Sequence, residues 1–124
     1  MSINNSVRLI GNLGNDIKLR ETANGVVGTV NIATKERWHD KETGLLTTHV
    51  EWHRLVFWNG LAENTAKYMG KGSRVAVVGR LRTRKWDKDE ITYTVTEIHV
   101  DEVEFLSAKP TGPANKLIIE VGGE

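Results

Sequence analysis

The sequence predicts an all-β domain carrying one short helix, and three observations point there. Apolar residues recur at every second position through most of the chain, the period of a strand with one buried face. Only residues 60–69 switch to helical spacing. Turn-forming pairs such as Asn24-Gly25 separate the alternating stretches, because both residues tolerate positive φ. At 124 residues, 39% apolar and 27% charged, the chain can bury one core but hardly a second. The expected domain is residues 1–107, followed by a C-terminal tail, 108–124, that is linker-like or partly ordered.

Val7–Leu13 alternates and is the first strand, with Gly11 and Gly14 marking a bend or a close backbone approach. After the Ala23-Asn24-Gly25 turn, Val26–Trp38 is the second; Val30 and Ile32 share one face, Lys35 and Arg37 the other. Trp38 falls in phase with Val30, so it faces outward only if the strand twists or bulges. His39–Leu46 is polar and reads as a hairpin tip. Thr47–Trp58 then divides cleanly, with Trp52, Arg54, Val56 and Trp58 on one side and His53, Leu55 and Phe57 on the other. Gly60–Met69 is the helix. Leu61, Thr65 and Tyr68 with Ala62, Ala66 and Met69 form its apolar stripe, Asn59 or Gly60 caps it and Gly70 ends it.

The stretch Ser73–Trp86 organises the rest. Val75, Val77, Gly79 and Leu81 are expected in the core, while Arg74, Arg80, Arg82, Arg84 and Trp86 point the opposite way. From Arg80 to Lys85 there is no acid, so this face suits an extended polyanion. Ile91–Leu106 is long enough for one bent strand or two. Tyr93 and Val95 are in one phase, Ile98 and Val100 in the other, which predicts a bulge. Lys109–Asn115 holds both prolines and reads as a linker; Leu117–Val121 could pair as an extra strand or simply be disordered. Three strands, a helix and two more strands make the element order of a five-stranded Greek-key barrel, the oligonucleotide-binding (OB) fold.

Composition narrows the function. No cysteine is present, so disulfides and thiolate metal sites are excluded. No signal peptide or membrane-length apolar run is evident, which predicts a cytoplasmic protein. The net charge of +1 hides an asymmetry. Residues 1–86 hold 14 Lys or Arg against 7 Asp or Glu, and residues 87–124 hold 3 against 9, a basic body that points toward nucleic acid. Trp52, Trp58 and Trp86 fall in phase with arginines and out of phase with the apolar series. Unpaired bases expose π faces that stack on such rings, and arginines between the rings would hold phosphates, giving affinity with little specificity.

These residues also carry a resemblance. Gly11-Asn12-Leu13-Gly14 with Asp16, Asn31-Ile32-Ala33-Thr34, Glu51-Trp52-His53-Arg54, Leu61-Ala62-Glu63, Tyr68, Lys71-Gly72-Ser73 and Gly79–Trp86 resemble, collinearly over about residues 5–106, the bacterial single-stranded DNA-binding proteins. The resemblance implies an OB barrel, usually a homotetramer, that wraps single strands in DNA replication, recombination and repair. It places the stacking aromatics on Trp38, Trp52, Trp58 and Trp86, with phenylalanine common at the Trp58 position. The residues expected to meet phosphates are Arg37, Arg54, Arg74, Arg80, Arg82, Arg84 and Lys85. Arg8 matches a position that in the family helps form the subunit interface. Members commonly end in an acidic Asp-Asp-Ile-Pro-Phe tip that recruits other proteins; this chain ends Val121-Gly122-Gly123-Glu124, so recruitment through such a tip is not expected.

No enzyme, cofactor or metal is expected. His49, Glu51 and His53 share a face at a spacing that could ligate a metal, yet Leu55 and Phe57 continue that face and no fourth ligand follows. Gly70-Lys71-Gly72-Ser73 lacks the spacing of a phosphate loop, no nucleophile and base pair stands out, and His39 and His99 are read as surface residues. Two other readings remain: a replication-restart or RNA-binding barrel, and a protein-interaction barrel whose tryptophans are interface anchors.

Overall fold

The structure, a computed structural model, describes residues 3–107. The expected linker and possible last strand lie outside the described residues. Six strands and one helix follow in the order β1 (Val7–Leu13), β2 (Lys18–Thr22), β3 (Gly25–His39), β4 (Leu46–Trp58), α1 (Asn59–Tyr68), β5 (Arg74–Lys88) and β6 (Ile91–Phe105). Five strands close a barrel in the order β1-β5-β6-β4-β3, with β3 returning to β1, and β2 adds to β3 as a short outer strand. The β4–β6 pairing is parallel, Leu55 beside Ile98 and Val56 beside His99; the other pairings are antiparallel. This is the predicted OB barrel.

Alternation explains the core. Leu13, Val30, Ile32, Leu55, Phe57, Val75, Val77, Ile98 and Val100 point inward and are buried, each fully buried large side chain contributing about 1.5–3 kcal/mol. Ala62 of α1 and the C-cap residue Met69 join the same cluster, and Ala62 and Thr65 are the helix's buried residues. The helix starts one residue before expectation. Its N-cap is Trp58, without a side-chain cap, while Asn59 takes a positive φ of 52° and its Oδ1 accepts the Val26 N–H at 3.1 Å, tying the helix start to β3.

Closure depends on Gly11. Residues Val7–Asn12 pair with β5, and Asn12 and Leu13 also pair with β3, so β1 is shared between both halves of the barrel. A Cβ at Gly11 would overlap the Ala33 carbonyl.

Four details differ from the expectations drawn from sequence. Strand β2 is not among the expected strands: nearly all of Lys18–Thr22 is exposed, so it has no buried alternation to detect. Leu81, expected in the core, is 47% exposed. Strand β5 runs past the end of β1, and at Leu81 the Asn5 side chain substitutes for a strand, accepting the Leu81 N–H at 2.9 Å and donating to its carbonyl at 3.1 Å. The bulge in β6 exists but lies later than the phase change suggests. Val78 pairs with Glu102 and Gly79 with Val100, which leaves Asp101 as the extra residue, while the ladder from Val100 to Ile91 is unbroken. The β3–β4 register is also unbroken from Val27–Trp58 to His39–Leu46, so no bulge brings Trp38 onto the face of Trp52.

Candidate nucleic-acid interface

Directly paired residues share a face, so the register assembles one continuous outer surface. From β2 come Lys18 and Arg20, opposite Thr29 and Val27 of β3. Asn31 lies opposite Arg54, Ala33 opposite Trp52 and Val27 opposite Trp58. Val56 continues to His99 of β6, and β5 then adds Arg80 beside His99, Arg82 beside Glu97, Arg84 beside Val95 and Trp86 beside Tyr93. Three of the four tryptophans and five arginines therefore occupy one side of the barrel.

Trp52 is 58% exposed and forms one wall of a cavity of about 400 Å³ lined also by Gly14, Asn15, Lys18, Thr29, Asn31 and Arg54. Its indole lies over Gly14, where a Cβ would overlap ring atoms Cζ3 and Cη2. Gly14→Ala is expected to push the ring aside. Losing part of one stacked base, about 1 kcal/mol, corresponds to roughly fivefold weaker binding of a single-stranded ligand, read by fluorescence titration.

Trp86 stacks on Tyr93 with ring centroids 5.6 Å apart and planes 18° from parallel, and the Arg84 guanidinium lies 5.3 Å from the Trp86 ring. Trp58 lines a second cavity with Arg20, Thr22, Arg54, Arg84, Glu97 and His99. Its indole N–H donates to His99 Nδ1 at 3.4 Å. Burial holds the His99 pKa below the ordinary value, consistent with a neutral ring accepting at Nδ1. His99 thus belongs to the site rather than to an idle surface.

Between these rings sits a carboxylate. Glu97 is only 3% exposed; Arg84 grips it with Nε to Oε1 and a terminal nitrogen to Oε2, both at 3.0 Å, and Arg54 Nε reaches Oε2 at 2.9 Å. The Arg84 hydrogen bonds, helped by Arg54 and opposed by burial, hold the Glu97 pKa below the ordinary value near 4.5. The depressed folded value means that Glu97 contributes stability at pH above 4.5, and that this is lost as pH falls through the lower folded value. Thermal melts are expected to show the wild type losing stability more steeply than Glu97→Gln in that acid window, with no such difference in slope near neutrality.

The remaining predicted residues are more scattered. Arg80 lies 3.7 Å from Asp101, and Arg82 has no ion pair among the described residues. Arg37 lies opposite Thr48 on the outer half of the β3–β4 hairpin, on the Trp52 face, whereas Trp38 lies on the reverse face with its ring 6.4 Å from His49. Lys85 lies opposite Thr94, on the reverse face from Arg84, and Arg74 sits at the opposite end of β5 from Trp86, donating to Asn12 Oδ1. His49 pairs with Glu51 at 3.0 Å and His53 bonds Thr34 Oγ1 at 2.9 Å. Among the described residues no three metal-ligating side chains gather.

Residues 4–106 match the single-strand binding protein family. The chain belongs to that family. It is 43% identical over 107 residues to single-stranded DNA-binding protein 1 of Xylella fastidiosa, covering 85% of this chain and 79% of the relative. Its fold superposes with a TM-score of 0.75 on the Plasmodium falciparum SSB complex with ssDNA, at 34% identity, covering 86% of this chain and 97% of that one. A deletion mutant of the single-stranded DNA binding protein from Thermus aquaticus is similar at 27% identity with a TM-score of 0.72, covering 83% of this chain and 50% of that one.

In this family member, reasoning from sequence misses Lys18, Arg20, Asn31, Tyr93, Glu97 and His99 as site residues. Lys18 and Arg20 are hidden with β2. Tyr93 is visible only as one member of an alternating series, and Glu97 and His99 only as members of an acidic segment; their partners lie on other strands.

Proposed function

We propose that this protein binds single-stranded DNA without sequence preference and so protects exposed strands in replication, recombination and repair. The observation that carries this is the unbroken outer face running from Trp52 and Arg54 through Trp58 to Arg84 and Trp86. Bases stack on Trp52, Trp58, Trp86 and Tyr93, and Trp38 offers a further ring on the reverse of the β3–β4 hairpin. Arg80 and Arg82 meet phosphates first, with Lys18 and Arg20 added from β2; Arg37, Arg54, Arg74, Arg84 and Lys85 extend the cationic path. The protein is a binder and not an enzyme, acting in the cytoplasm on the nucleoid through its residues 1–107.

Self-association fits a second surface. Ile10, 55% exposed, lies beside Arg8, Ala76 and Val78 with Glu102 and Glu104 across the β1-β5-β6 outer face, an apolar centre flanked by both charge signs. A homotetramer built on such faces would present several binding surfaces to one strand.

Titration with oligo-dT tests the function. Most tryptophan emission is expected to be quenched, with affinity falling as salt rises. An unchanged spectrum would reject the proposal in favour of a protein-interaction barrel, and stronger competition by oligo-U than by oligo-dT would reassign the ligand to RNA.

A further inference from the structure

We propose that Glu97 is a positioning residue with two opposed effects: it orders Arg54 and Arg84 before the strand arrives, and it subtracts one charge from the surface the strand meets. The inference rests on single-strand binding as the function.

The geometry carries it. A carboxylate at the centre of a surface meant for phosphates is a poor choice unless it does something the arginines cannot do alone. Here it is almost fully buried and takes three charge-assisted hydrogen bonds from two arginines on different strands, Arg54 of β4 and Arg84 of β5. Each guanidinium offers five N–H donors in a fixed fork. Arg84 spends two and Arg54 one, so most donors remain available, yet both planes are already set by the carboxylate. Both guanidinium-bearing side chains stay roughly half exposed while Glu97 is sealed beneath them. The strand therefore meets arginines whose rotamer freedom is already reduced. Arg84 also reaches the Trp86 ring, so the same carboxylate helps fix the position of a cation beside a stacking surface.

The neighbours leave Glu97 ionised. Arg54 and Arg84 bond it, His99 Nε2 lies 3.5 Å from Oε1, and Arg82 is its cross-strand partner on β5. Its depressed pKa agrees with a negative charge throughout the neutral range. Two guanidinium charges and one carboxylate leave one net positive charge at this point. The salt sensitivity of binding should accordingly be lower than a count of arginines implies.

Ordering and charge subtraction separate experimentally because only the second depends on salt. Oligo-dT affinity is measured across a salt series for wild type, Glu97→Gln and Glu97→Asp, with melting curves showing that each variant is folded at the assay temperature. Glu97→Gln keeps the shape and removes the charge. Its plot of log affinity against log salt is expected to be steeper by about 0.7 for single strands, and its affinity extrapolated to about 1 M salt to be several-fold weaker than wild type. Glu97→Asp keeps the charge but is too short to hold both arginines, so its slope is expected to match wild type while its affinity at about 1 M salt is also reduced.

Parallel plots for wild type and Glu97→Gln would overturn the charge subtraction, and equal extrapolated affinities for all three proteins would overturn the ordering. If Glu97→Gln does not fold, Glu97→Asp alone decides the ordering, and Arg84→Gln combined with Glu97→Gln, which restores the wild-type charge, is expected to return the slope to the wild-type value. A wild type that binds no oligo-dT at any salt would reject the function itself, a result distinct from either.

Discussion

Trp52→Ala combined with Trp86→Ala is expected to weaken oligo-dT binding by about 2–6 kcal/mol, since each ring supplies about 1–3 kcal/mol of stacking. At about 1.4 kcal/mol per factor of ten, even the lower bound exceeds tenfold. The fold should survive. Trp52 is more than half exposed, and Trp86, 43% exposed, packs on Tyr93 in the β5–β6 hairpin beyond the barrel core. The loss of that aromatic pair costs about 0.5–1.5 kcal/mol, small beside the binding effect. A measurement independent of tryptophan emission, such as anisotropy of a labelled oligo-dT, avoids confusing lost indoles with lost binding. A double variant that melts at the wild-type temperature and still binds with unaltered affinity would remove stacking from the mechanism.

Gly11→Ala is expected to destabilise the fold strongly. Its added methyl would collide with backbone, the Ala33 carbonyl oxygen and carbon, at the place where β1 joins β3 to shut the barrel. A flexible side chain could swing away, but a carbonyl held in a sheet cannot. Overpacking of this kind costs about 1–3 kcal/mol and occasionally more, and the rigid obstacle puts Gly11→Ala at the upper end. For a domain near 100 residues that is a fall in Tm on the order of 10–20 °C, measurable by calorimetry. A melting temperature within a degree or two of wild type would mean that the seam between β1 and β3 yields more readily than its geometry indicates.

The same contrast between one strand and its neighbours explains what can be read in advance. In β4, burial of Leu55 and Phe57 turns Trp52, Arg54 and Trp58 to the opposite face, so a period of two is enough to place three site residues. The helix is legible because its spacing breaks that period, and the Asn24-Gly25 turn because of its backbone chemistry. Where both faces of a strand meet water, alternation carries no information. That is why β2 escapes notice, why alternation assigns Leu81 to a core that β5 has already left, and why the face of Trp38 on the outer hairpin is undecided without the register.

From its own order of residues, this chain determined an OB barrel with one helix and a cationic, tryptophan-bearing outer face, because burying one side of each strand compels the other side outward. Only the tertiary structure decided how the charges on that face are used. Arg54 and Arg84 lie 43 and 13 residues from Glu97 in sequence and meet it only because β5 and β4 flank β6 in the closed sheet. Pairing across strands is set by barrel closure and the Asp101 bulge, and no local pattern in the chain records it.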